Sequence, residues 1–493
     1  MSTFPGRIPE LPGIMIDRLM PDPDLKAFFI SHDHSDHTRG IYDERFHSFM
    51  ATSSPRRFIY VSPLTAQMMR NRSQLEPLHD FIIPLELDEP HEIRIGGAPD
   101  HSQQSENPEL GRAAEQQLTS TGETRPLALD GYTVNVTLTS AEHIMGSVMF
   151  VFERATSPSF RCLYTGDFRL TINEIKAKRC LRLGVDRSPG GQHTKSFDAV
   201  YFDSTWCTPR HLWTIPLREE ALRELKPLIE RHLLEDQDNL ICLYTCYNIG
   251  YEILLQWLAR VSHSKIHVTE GRLMLYRGFA GMEDILSTDA DCRVHFCTEL
   301  RRSQARKLCP RLRRASKGKA LSLVASYMRF IKEHTDNAEM STCVKDARMP
   351  DQYNVCWSTH PSLEEVLGLL NYLNPRRACP NVVGNDTSEE EILDTLRRPA
   401  TETRAWHPKY PLDTSEPPLQ DTQRPLLKKV SPKKPAPDIA LRPASPAATS
   451  GDDSPEEGIM ERLRIKGLAT SRRPRKAISL SQLQSCGEHS AFT

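Results

Sequence analysis

Residues 28–40, FFISHDHSDHTRG, place three histidines and two aspartates within six positions, directly behind an apolar run. The apolar run is typical of a buried strand, and the polar residues follow where that strand ends. His32 and His34 stand two apart, so both imidazoles can reach one ion from an extended loop. Asp36 and His37 can turn toward a second ion beside the first. The stretch therefore predicts a loop that holds a binuclear metal site, although each residue taken singly also suits a solvated turn.

Length and composition limit the protein to which this loop can belong. The chain has 493 residues, enough for two or three domains, while 38% hydrophobic content and 36 prolines indicate that part of it does not fold. A formal net charge of -1 points neither to nucleic acid nor to an anionic membrane, so any basic surface has to be local. No apolar run is long enough to span a bilayer, and no signal peptide is evident, which predicts an intracellular protein with no membrane contact. The 12 cysteines then fit reduced thiols or metal ligands better than a disulfide framework.

Hydrophobic periodicity predicts a body of mixed α and β structure. Short apolar or alternating runs predict strands at AFFI, VNVTLT, MFVFE, CLYTGDF, AVYFD and LICLYT. Apolar residues three and four apart predict amphipathic helices over 216–235 and 361–373, and 388–399 is helix-like. Residues 97–126 are polar and aperiodic, as expected of a surface insertion. From about residue 399 the chain is rich in Pro, Ser, Thr and charge, which predicts a disordered tail.

Two further metal-ligand candidates stand at other predicted strand ends. His143 lies in TSAEHIMGS, and Asp167 lies in LYTGDFRL. A carboxylate after a strand and next to a glycine is well placed to bridge two cations through its two oxygens. Because several ligand types recur in the same strand-to-loop context, the set is more specific than any one member.

At these residues the sequence resembles a known family. SHDHSDH is similar to the HxHxDH signature of the metallo-β-lactamase fold, and Asp17, His143 and Asp167 fall where that family's other motifs fall. AVYFDSTWCTPR, with Asp203, resembles motif A of the β-CASP subgroup, and His360 in CWSTHPSLEEV resembles its motif B. GSVMFVFE, LYTGDFRL and IPLREE are similar to the Artemis-like nucleases of the DNA-repair branch. The resemblance covers roughly the first 390 residues.

The resemblance implies a fold and a set of site residues. The fold is α/β: a metallo-β-lactamase αββα sandwich formed by 1–205 and 352–398, an inserted β-CASP α/β domain at 206–351, and a disordered C-terminal tail at 399–493. It implies a first zinc ion on His32, His34, His143 and Asp167. It implies a second zinc ion on Asp36, His37, Asp167 and His360. The residues to which it gives catalytic roles are Asp17, Asp36, Asp203 and His360.

The same resemblance implies a function. The implied function is that of a zinc-dependent, structure-specific DNA endonuclease that opens hairpins and trims overhangs. The resemblance also implies 5′-exonuclease activity, and magnesium as a further ion for activity. The process would be double-strand break repair by non-homologous end joining and V(D)J-type recombination. The alternative within the family is a 5′-exonuclease of interstrand crosslink or telomere-end processing. Two zinc ions activate water and neutralise phosphate charge, which suits a phosphodiester better than an amide.

Competing functions differ in features that the sequence shows. RNA-cleaving β-CASP enzymes resemble one another in having a histidine at motif C, where this chain offers Val382 and Val383, and this favours DNA. A small-molecule hydrolase of the same fold would share the metal motifs but would need neither the inserted region nor a run of arginines. A non-catalytic scaffold usually shows lost ligands, and every expected position is filled here.

A second group of ligand types lies in the middle of the chain. His267, His295, Cys297 and Cys309 supply two imidazoles and two thiols, which satisfy a tetrahedral structural zinc. Their spacing is not that of an ordinary zinc finger, so buried thiols and surface histidines are the alternative reading. The pattern resembles the small zinc site that Artemis-like nucleases have within the β-CASP region, and this resemblance favours zinc.

A basic run provides the local positive charge that the net charge lacks. The DNA-backbone candidates are Arg301, Arg302, Arg306, Lys307, Arg311, Arg313, Arg314, Lys317 and Lys319. The run could be a solvated face, but beside a phosphodiesterase site it would hold the DNA backbone without reading sequence. The expected substrate is DNA with single-strand/double-strand junctions or hairpins.

Basic stretches in the tail resemble nuclear import signals, which predicts a nuclear protein. The family resemblance suggests a DNA-dependent protein kinase and an end-joining ligase complex as its partners.

Overall fold

A computed structural model describes residues 2–96, 131–155, 159–182, 196–208, 211, 214–298, 309–315, 319–331, 341–384 and 386–397. The predicted insertion at 97–126 and the predicted tail at 399–493 lie outside these residues. The described residues form a mixed α/β structure with three sheets, which confirms the predicted α/β class. No helix among them has the length and apolar composition to cross a membrane. Each described cysteine is free.

The first sheet is parallel and four-stranded. In spatial order it contains β1 (Ile14–Ile16), β2 (Ala27–Phe29), β3 (Phe58–Val61) and β4 (Ile82–Pro84). Its helices are α1 (Glu44–Thr52), α2 (Pro63–Arg70) and a 3₁₀ helix, Ser73–Phe81. Both α-helices begin at side-chain N-caps, Asp43 and Ser62, which satisfy otherwise unpaired backbone N–H groups.

The second sheet is six-stranded and mixed. In chain order its strands are β5 (Pro90–Ile95), β6 (Tyr132–Ser140), β7 (Val148–Arg154), β8 (Phe160–Tyr164), β9 (Ala199–Phe202) and β17 (Arg377–Pro380). The strands from β5 to β8 pair antiparallel, whereas β8, β9 and β17 pair parallel. Strands β6, β8 and β9 therefore run in the same direction, and their carboxyl ends share one edge of the sheet.

The two sheets pack face to face because successive residues of a strand point to opposite sides. Phe29 of β2 enters the space between the sheets and meets Phe150 and Phe152 of β7 edge-on, at 5.5 and 5.2 Å between ring centroids. Its neighbour Phe28 points the other way and packs on Phe46 of α1 at 5.1 Å. Val151 similarly faces outward. The outer layer over the second sheet is α3 (Ile172–Ala177), a 3₁₀ helix Arg179–Leu181, α9 (Leu363–Leu373) and α10 (Glu389–Arg397). The order of layers is α, β, β, α.

The third sheet is seven-stranded and lies in the region between β9 and α9. In chain order it contains β10 (Leu240–Thr245), β11 (Ile266–His267), β12 (Leu286–Ser287), β13 (Val294–His295), β14 (Ala320–Ala325), β15 (Cys343–Lys345) and β16 (Gln352–Val355). Only β15 pairs antiparallel. The remaining helices are α4 (Arg218–Glu235), α5 (Glu252–Ser262), α6 (Glu270–Leu275), α7 (Ala280–Glu283), α8 (Pro310–Arg314) and a 3₁₀ helix, Tyr327–Arg329. Leu225, Leu254 and Leu258 of α4 and α5 share one buried cluster with Ile241 and Leu323 of the sheet.

The periodicity predictions agree with these elements. The six predicted strands overlap β2, β6, β7, β8, β9 and β10, and the three predicted helices overlap α4, α9 and α10. The structure between β9 and α9 has a sheet of its own, and its buried cluster extends to Met68, Ile144 and Met145; the inserted domain predicted at 206–351 is not tested by this. Its boundaries stay a prediction.

Candidate metal centre

The predicted ligands and the predicted catalytic residue Asp203 follow the carboxyl ends of strands from all three sheets. The loop 31–40 follows β2, His143 follows β6, Asp167 follows β8, Asp203 follows β9 and His360 follows β16. Close approach of two of these loops requires Gly166, whose φ is +54° and whose Cβ, if present, would lie 2.7 Å from Ser31 Cβ. The metal-ligand candidates predicted from the sequence are therefore brought together from positions more than 300 residues apart.

Three imidazole nitrogens form a tight triangle. His34 Nδ1 lies 3.2 Å from His32 Nε2 and 3.1 Å from His143 Nε2. Asp167 Oδ2 lies 3.7 Å from His32 Nε2 and 3.6 Å from His143 Nε2. Ligand atoms at tetrahedral corners around zinc, with bonds of about 2.0–2.1 Å, are about 3.3 Å apart. These four buried side chains therefore fit a single tetrahedral metal ion.

Hydrogen bonds hold two of the three rings in the tautomer that a metal needs, whereas the buried His34 Nε2 has no hydrogen-bond partner among the described residues. His143 Nδ1–H donates to the Thr359 carbonyl oxygen at 2.7 Å, and His32 Nδ1–H donates to Ser31 Oγ at 3.0 Å. Each ring then directs an unprotonated Nε2 toward the triangle. Donation from the outer ring nitrogen to a carbonyl, carboxylate or hydroxyl is typical of metal-binding histidines. This pattern supports metal binding independently of the ligand distances.

The electrostatics of this triangle also suit metal ligands. Burial, followed by the neighbouring histidines, lowers the pKa of His32 and of His143 well below its usual value. Burial also lowers the pKa of His34 to about 3. Neutral imidazoles retain the lone pair that binds a cation, so the triangle is ready for an ion at neutral pH.

Asp167 joins the triangle to a second group of ligand candidates. Its Oδ2 lies 3.3 Å from His37 Nε2 and 3.7 Å from His360 Nδ1. His37 Nε2 is also 3.7 Å from Asp36 Oδ2 and is buried without a hydrogen bond among the described residues. His360 Nδ1–H donates to Asp203 Oδ2 at 2.8 Å. Asp167 is therefore placed to bridge two ions.

The histidines of the second ligand group have raised pKa values, in contrast to the histidines of the triangle. Burial opposes protonation of His37, but Asp167 and Asp17 raise its pKa well above the usual value. Burial likewise opposes protonation of His360, and Asp203 and Asp167 raise its pKa. Protons on these two rings balance the carboxylate charge, and a cation placed among the same carboxylates would take over that role.

Asp17 lies behind the ligand candidates. It accepts hydrogen bonds from Ser31 N–H (2.7 Å), Ser31 Oγ (2.7 Å), His37 Nδ1 (2.7 Å) and Tyr164 OH (2.8 Å). It is 2% exposed and has a φ of +55°, which Asp tolerates better than most residues. In this placement Asp17 orients the His37 ring so that Nε2 faces Asp167, and the catalytic role that the resemblance implies for Asp17 stays a prediction.

The second predicted zinc set also comes together. His267, His295, Cys297 and Cys309 present ligand atoms within 4.8 Å of one another. His295 Nδ1 lies 3.4 Å from Cys309 Sγ and 3.9 Å from Cys297 Sγ, and a tetrahedral zinc site with Zn–S of about 2.3 Å places such atoms about 3.6 Å apart. The buried His267 Nδ1 has no hydrogen-bond partner among the described residues. The donor set fits a structural metal ion.

The described part of the basic run lies away from the candidate metal centre. Arg311, Arg313 and Arg314 are in α8, and Lys319 precedes β14, where its carbonyl accepts from Leu240 N–H at the start of β10. Because β10 has six residues that rise about 3.3 Å each, this end is about 17 Å from the end that faces the metal centre. Arg311 pairs with Asp238 at 3.4 Å, and Lys319 pairs with Asp236. The remaining predicted cations, Arg301, Arg302, Arg306, Lys307 and Lys317, lie outside the described residues.

Several residues at the centre carried no signal in the sequence. Tyr247 stacks on His34, Ser2 N–H donates to Asp36 Oδ2 at 3.0 Å, and the Trp206 ring meets His360 edge-on at 5.7 Å. None of them is a metal-ligand type in a motif, so only their tertiary position identifies them.

The fold and the site together define an α/β protein with a candidate binuclear metal centre at converging strand ends. The chain is similar to Protein artemis of Rattus norvegicus, with 27% identity over 425 residues, covering 83% of this chain and 53% of that protein. It is similar to Protein artemis of Danio rerio, with 28% identity over 407 residues, covering 80% and 56%. It is also similar to 5′ exonuclease Apollo of Danio rerio, with 27% identity over 361 residues, covering 73% and 49%.

These comparisons confirm the resemblance to Artemis-like proteins that the motifs predicted. The chain spans about half the length of these curated relatives. No protein-family model matches the chain.

Proposed function

We propose that this chain is a zinc-dependent phosphodiesterase that cleaves DNA. The proposed domains are a metallo-β-lactamase domain at 1–205 and 352–398 and a β-CASP domain at 206–351. The observation that carries the proposal is the convergence of His32, His34, His143 and Asp167 at tetrahedral spacing, with a second ligand group across Asp167. The α, β, β, α layering and the similarity to a protein named as a 5′ exonuclease support the same function.

The protein's own residues divide the work of phosphodiester cleavage. Zinc ions bound at the centre would supply an activated water and would neutralise phosphate charge. Asp167 bridges the two ligand groups, and Asp17 keeps the His37 proton on Nδ1. With a proton held on Nδ1 by Asp203, His360 would give a proton to the leaving oxygen; with Nδ1 deprotonated, His360 would complete the second ligand group, as the resemblance implies.

DNA is favoured over RNA by the segment that follows β17. Val382 N–H donates to Ser204 Oγ at 2.9 Å, directly after Asp203, so this segment lies beside the centre. A histidine at motif C is the feature of RNA-cleaving relatives in the resemblance, and valines stand here. The proposed substrates are hairpins, overhangs and other single-strand/double-strand junctions, whose strands bend at lower cost than a paired duplex.

The proposed process is double-strand break repair by non-homologous end joining and V(D)J-type recombination in the nucleus, with a DNA-dependent protein kinase and an end-joining ligase complex as proposed partners. The similarity to 5′ exonuclease Apollo favours one second candidate, a 5′-exonuclease of interstrand crosslink or telomere-end processing. Magnesium is the ion to test beside zinc. The structural site at His267, His295, Cys297 and Cys309 is proposed to hold a further zinc ion.

The test compares metal content with cleavage. Purified protein is analysed for zinc and assayed on a labelled DNA hairpin, a 3′ overhang, a 5′-labelled single strand, a blunt duplex and an equivalent RNA, in zinc and in magnesium buffers. Asp167→Asn should lower kcat/KM at least about 100-fold while the thermal unfolding midpoint stays near the wild-type value, because its carboxylate serves the ions and not the core. The matched control is Asp24→Asn, since Asp24 is exposed and remote from the centre.

Each outcome separates the alternatives. Hairpin opening supports the endonuclease, and stepwise shortening from a 5′ end supports the exonuclease. A preference for RNA, or wild-type cleavage by Asp167→Asn, would overturn the proposal.

A further inference from the structure

Tyr247 presents an exposed aromatic ring at the rim of the candidate metal centre. It follows β10 and is 53% exposed, although tyrosine rings are more often half-buried or buried. Its ring stacks on the His34 imidazole, with centroids 4.8 Å apart and planes inclined by 30°. One face of the Tyr247 ring is therefore covered by a metal-ligand candidate, while about half of the residue's surface remains accessible to solvent.

The loop that carries Tyr247 is held in place by hydrogen bonds from Thr245, Arg272 and Tyr276. Thr245 Oγ1 donates to the Tyr247 carbonyl oxygen at 2.7 Å. The buried Arg272 donates to Asn248 Oδ1 through Nε at 3.0 Å and Nη2 at 2.9 Å. Tyr276 OH donates to the Asn248 carbonyl oxygen at 3.2 Å. The exposed ring thus stands on a fixed base, which lowers the entropy that binding a ligand would cost.

The same loop packs on the segments that carry two ligand candidates. Gly250 has a φ of +99°, and a Cβ there would lie 2.7 Å from Ile144 Cγ2 and 3.8 Å from Thr359 Cγ2. Ile144 follows His143, and Thr359 precedes His360. Only glycine permits this approach. The backbone of the loop that carries Tyr247 is therefore packed against both of these segments.

We infer that Tyr247 is a stacking platform for an unpaired nucleobase next to the phosphate that is cleaved. This inference rests on the proposed function and deepens it by naming what the site recognises. Every base has a π-face, so stacking on Tyr247 would be tolerant of sequence. A base within a duplex has both faces covered by its neighbours, so the platform accepts only a base at an end, a hairpin tip or a single strand. The platform thereby selects strand ends and unpaired bases over internal duplex through contact, in addition to the lower bending cost.

The experiment tests whether the contribution of the Tyr247 ring to kcat/KM depends on the presence of a base in the substrate. Wild type, Tyr247→Ala and Tyr247→Phe are assayed for kcat/KM on a labelled overhang substrate. The same substrate is also made with an abasic nucleotide at each position flanking the cleavage site in turn. Aromatic stacking on a base is worth about 5- to 150-fold, so Tyr247→Ala should lose that factor on the base-bearing substrate. When the abasic nucleotide stands at the position that stacks on Tyr247, kcat/KM of the wild type should fall by a similar factor relative to the base-bearing substrate. For Tyr247→Ala the same change of substrate should lower kcat/KM little further. Tyr247→Phe retains the ring and should retain the dependence on the base.

Zinc content and a surface control distinguish this role from a structural one. Leu234→Ala is the control, because Leu234 is 85% exposed in α4 and remote in sequence from every ligand candidate. Zinc content should be equal in all variants. Equal losses in Tyr247→Ala on base-bearing and abasic substrates, loss of zinc in that variant, or no loss at all would overturn the inference while leaving the proposed function standing. A wild-type protein that cleaves no DNA would overturn the proposed function and the platform with it.

Discussion

Replacing Asp17 with asparagine tests whether the metal centre depends on a residue that touches no ion. Asparagine keeps the shape of the side chain and tolerates the φ of +55° at this position, so the backbone is not perturbed. It changes the hydrogen-bonding capacity alone. Asp17 Oδ1 accepts from Ser31 N–H, and Oδ2 accepts from His37 Nδ1, Ser31 Oγ and Tyr164 OH.

An amide cannot serve all of these donors in either orientation. With its nitrogen at the Oδ1 position, the buried Ser31 N–H loses its acceptor, which costs about 1–3 kcal/mol. With its nitrogen at the Oδ2 position, His37 Nδ1 has to accept, and its proton moves to Nε2, which faces Asp167 at 3.3 Å. A ring protonated on Nε2 cannot bind an ion there. At about 1.4 kcal/mol per tenfold, the expected loss of metal affinity and of kcat/KM is about 10- to 100-fold.

The assay measures zinc affinity by competition with a chelator, and kcat/KM on the overhang substrate first at a limiting free zinc concentration and then in excess zinc. Asp17→Asn should be weakened in both, and excess zinc should restore part of the cleavage rate, because occupancy and not the reacting groups is impaired. Asp24→Asn is the matched control. Wild-type zinc affinity and wild-type kcat/KM in Asp17→Asn would refute the positioning role.

Two further predictions concern residues outside the catalytic group. Cys297→Ala should remove about one zinc ion per chain and lower the thermal unfolding midpoint, with cleavage retained by the fraction that stays folded; unchanged zinc stoichiometry would show that these thiols bind no metal. Arg314→Gln should reduce the slope of log affinity against log salt by about one on duplexes that extend at least about five base pairs from the junction. The reason is that α8 lies beside Leu240, at the end of β10 that is about 17 Å from the end facing the centre. An equal effect on shorter duplexes would contradict that position.

Local patterns in the sequence account for much of the fold. The strand β2 and the loop after it are encoded within 13 residues, because an apolar run followed by polar, turn-forming residues already states where the strand ends. The long helix α4 follows from apolar residues three and four apart, for the same local reason. The ligand types at His143 and Asp167 were visible because each follows a strand-like run.

The local sequence did not show which of those ligands come together in one site. Their convergence depends on strand order and direction: β6, β8 and β9 end at one sheet edge, β2 ends on the facing sheet, and β16 reaches the same place from the third sheet. The family resemblance named the ligand sets and kept Asp17 apart from them, but it did not place Asp17 behind His37.

What the sequence by itself determined is the set of elements and the chemistry of the ligand side chains, since periodicity and residue type act over a few neighbours. The tertiary structure alone decided that Tyr247 covers His34 and that Arg314 lies beside Leu240, at the end of β10 away from the centre. Exposure of a ring and the distance between two ends of a strand depend on packing between segments far apart in the chain. No local pattern of residues carries that information.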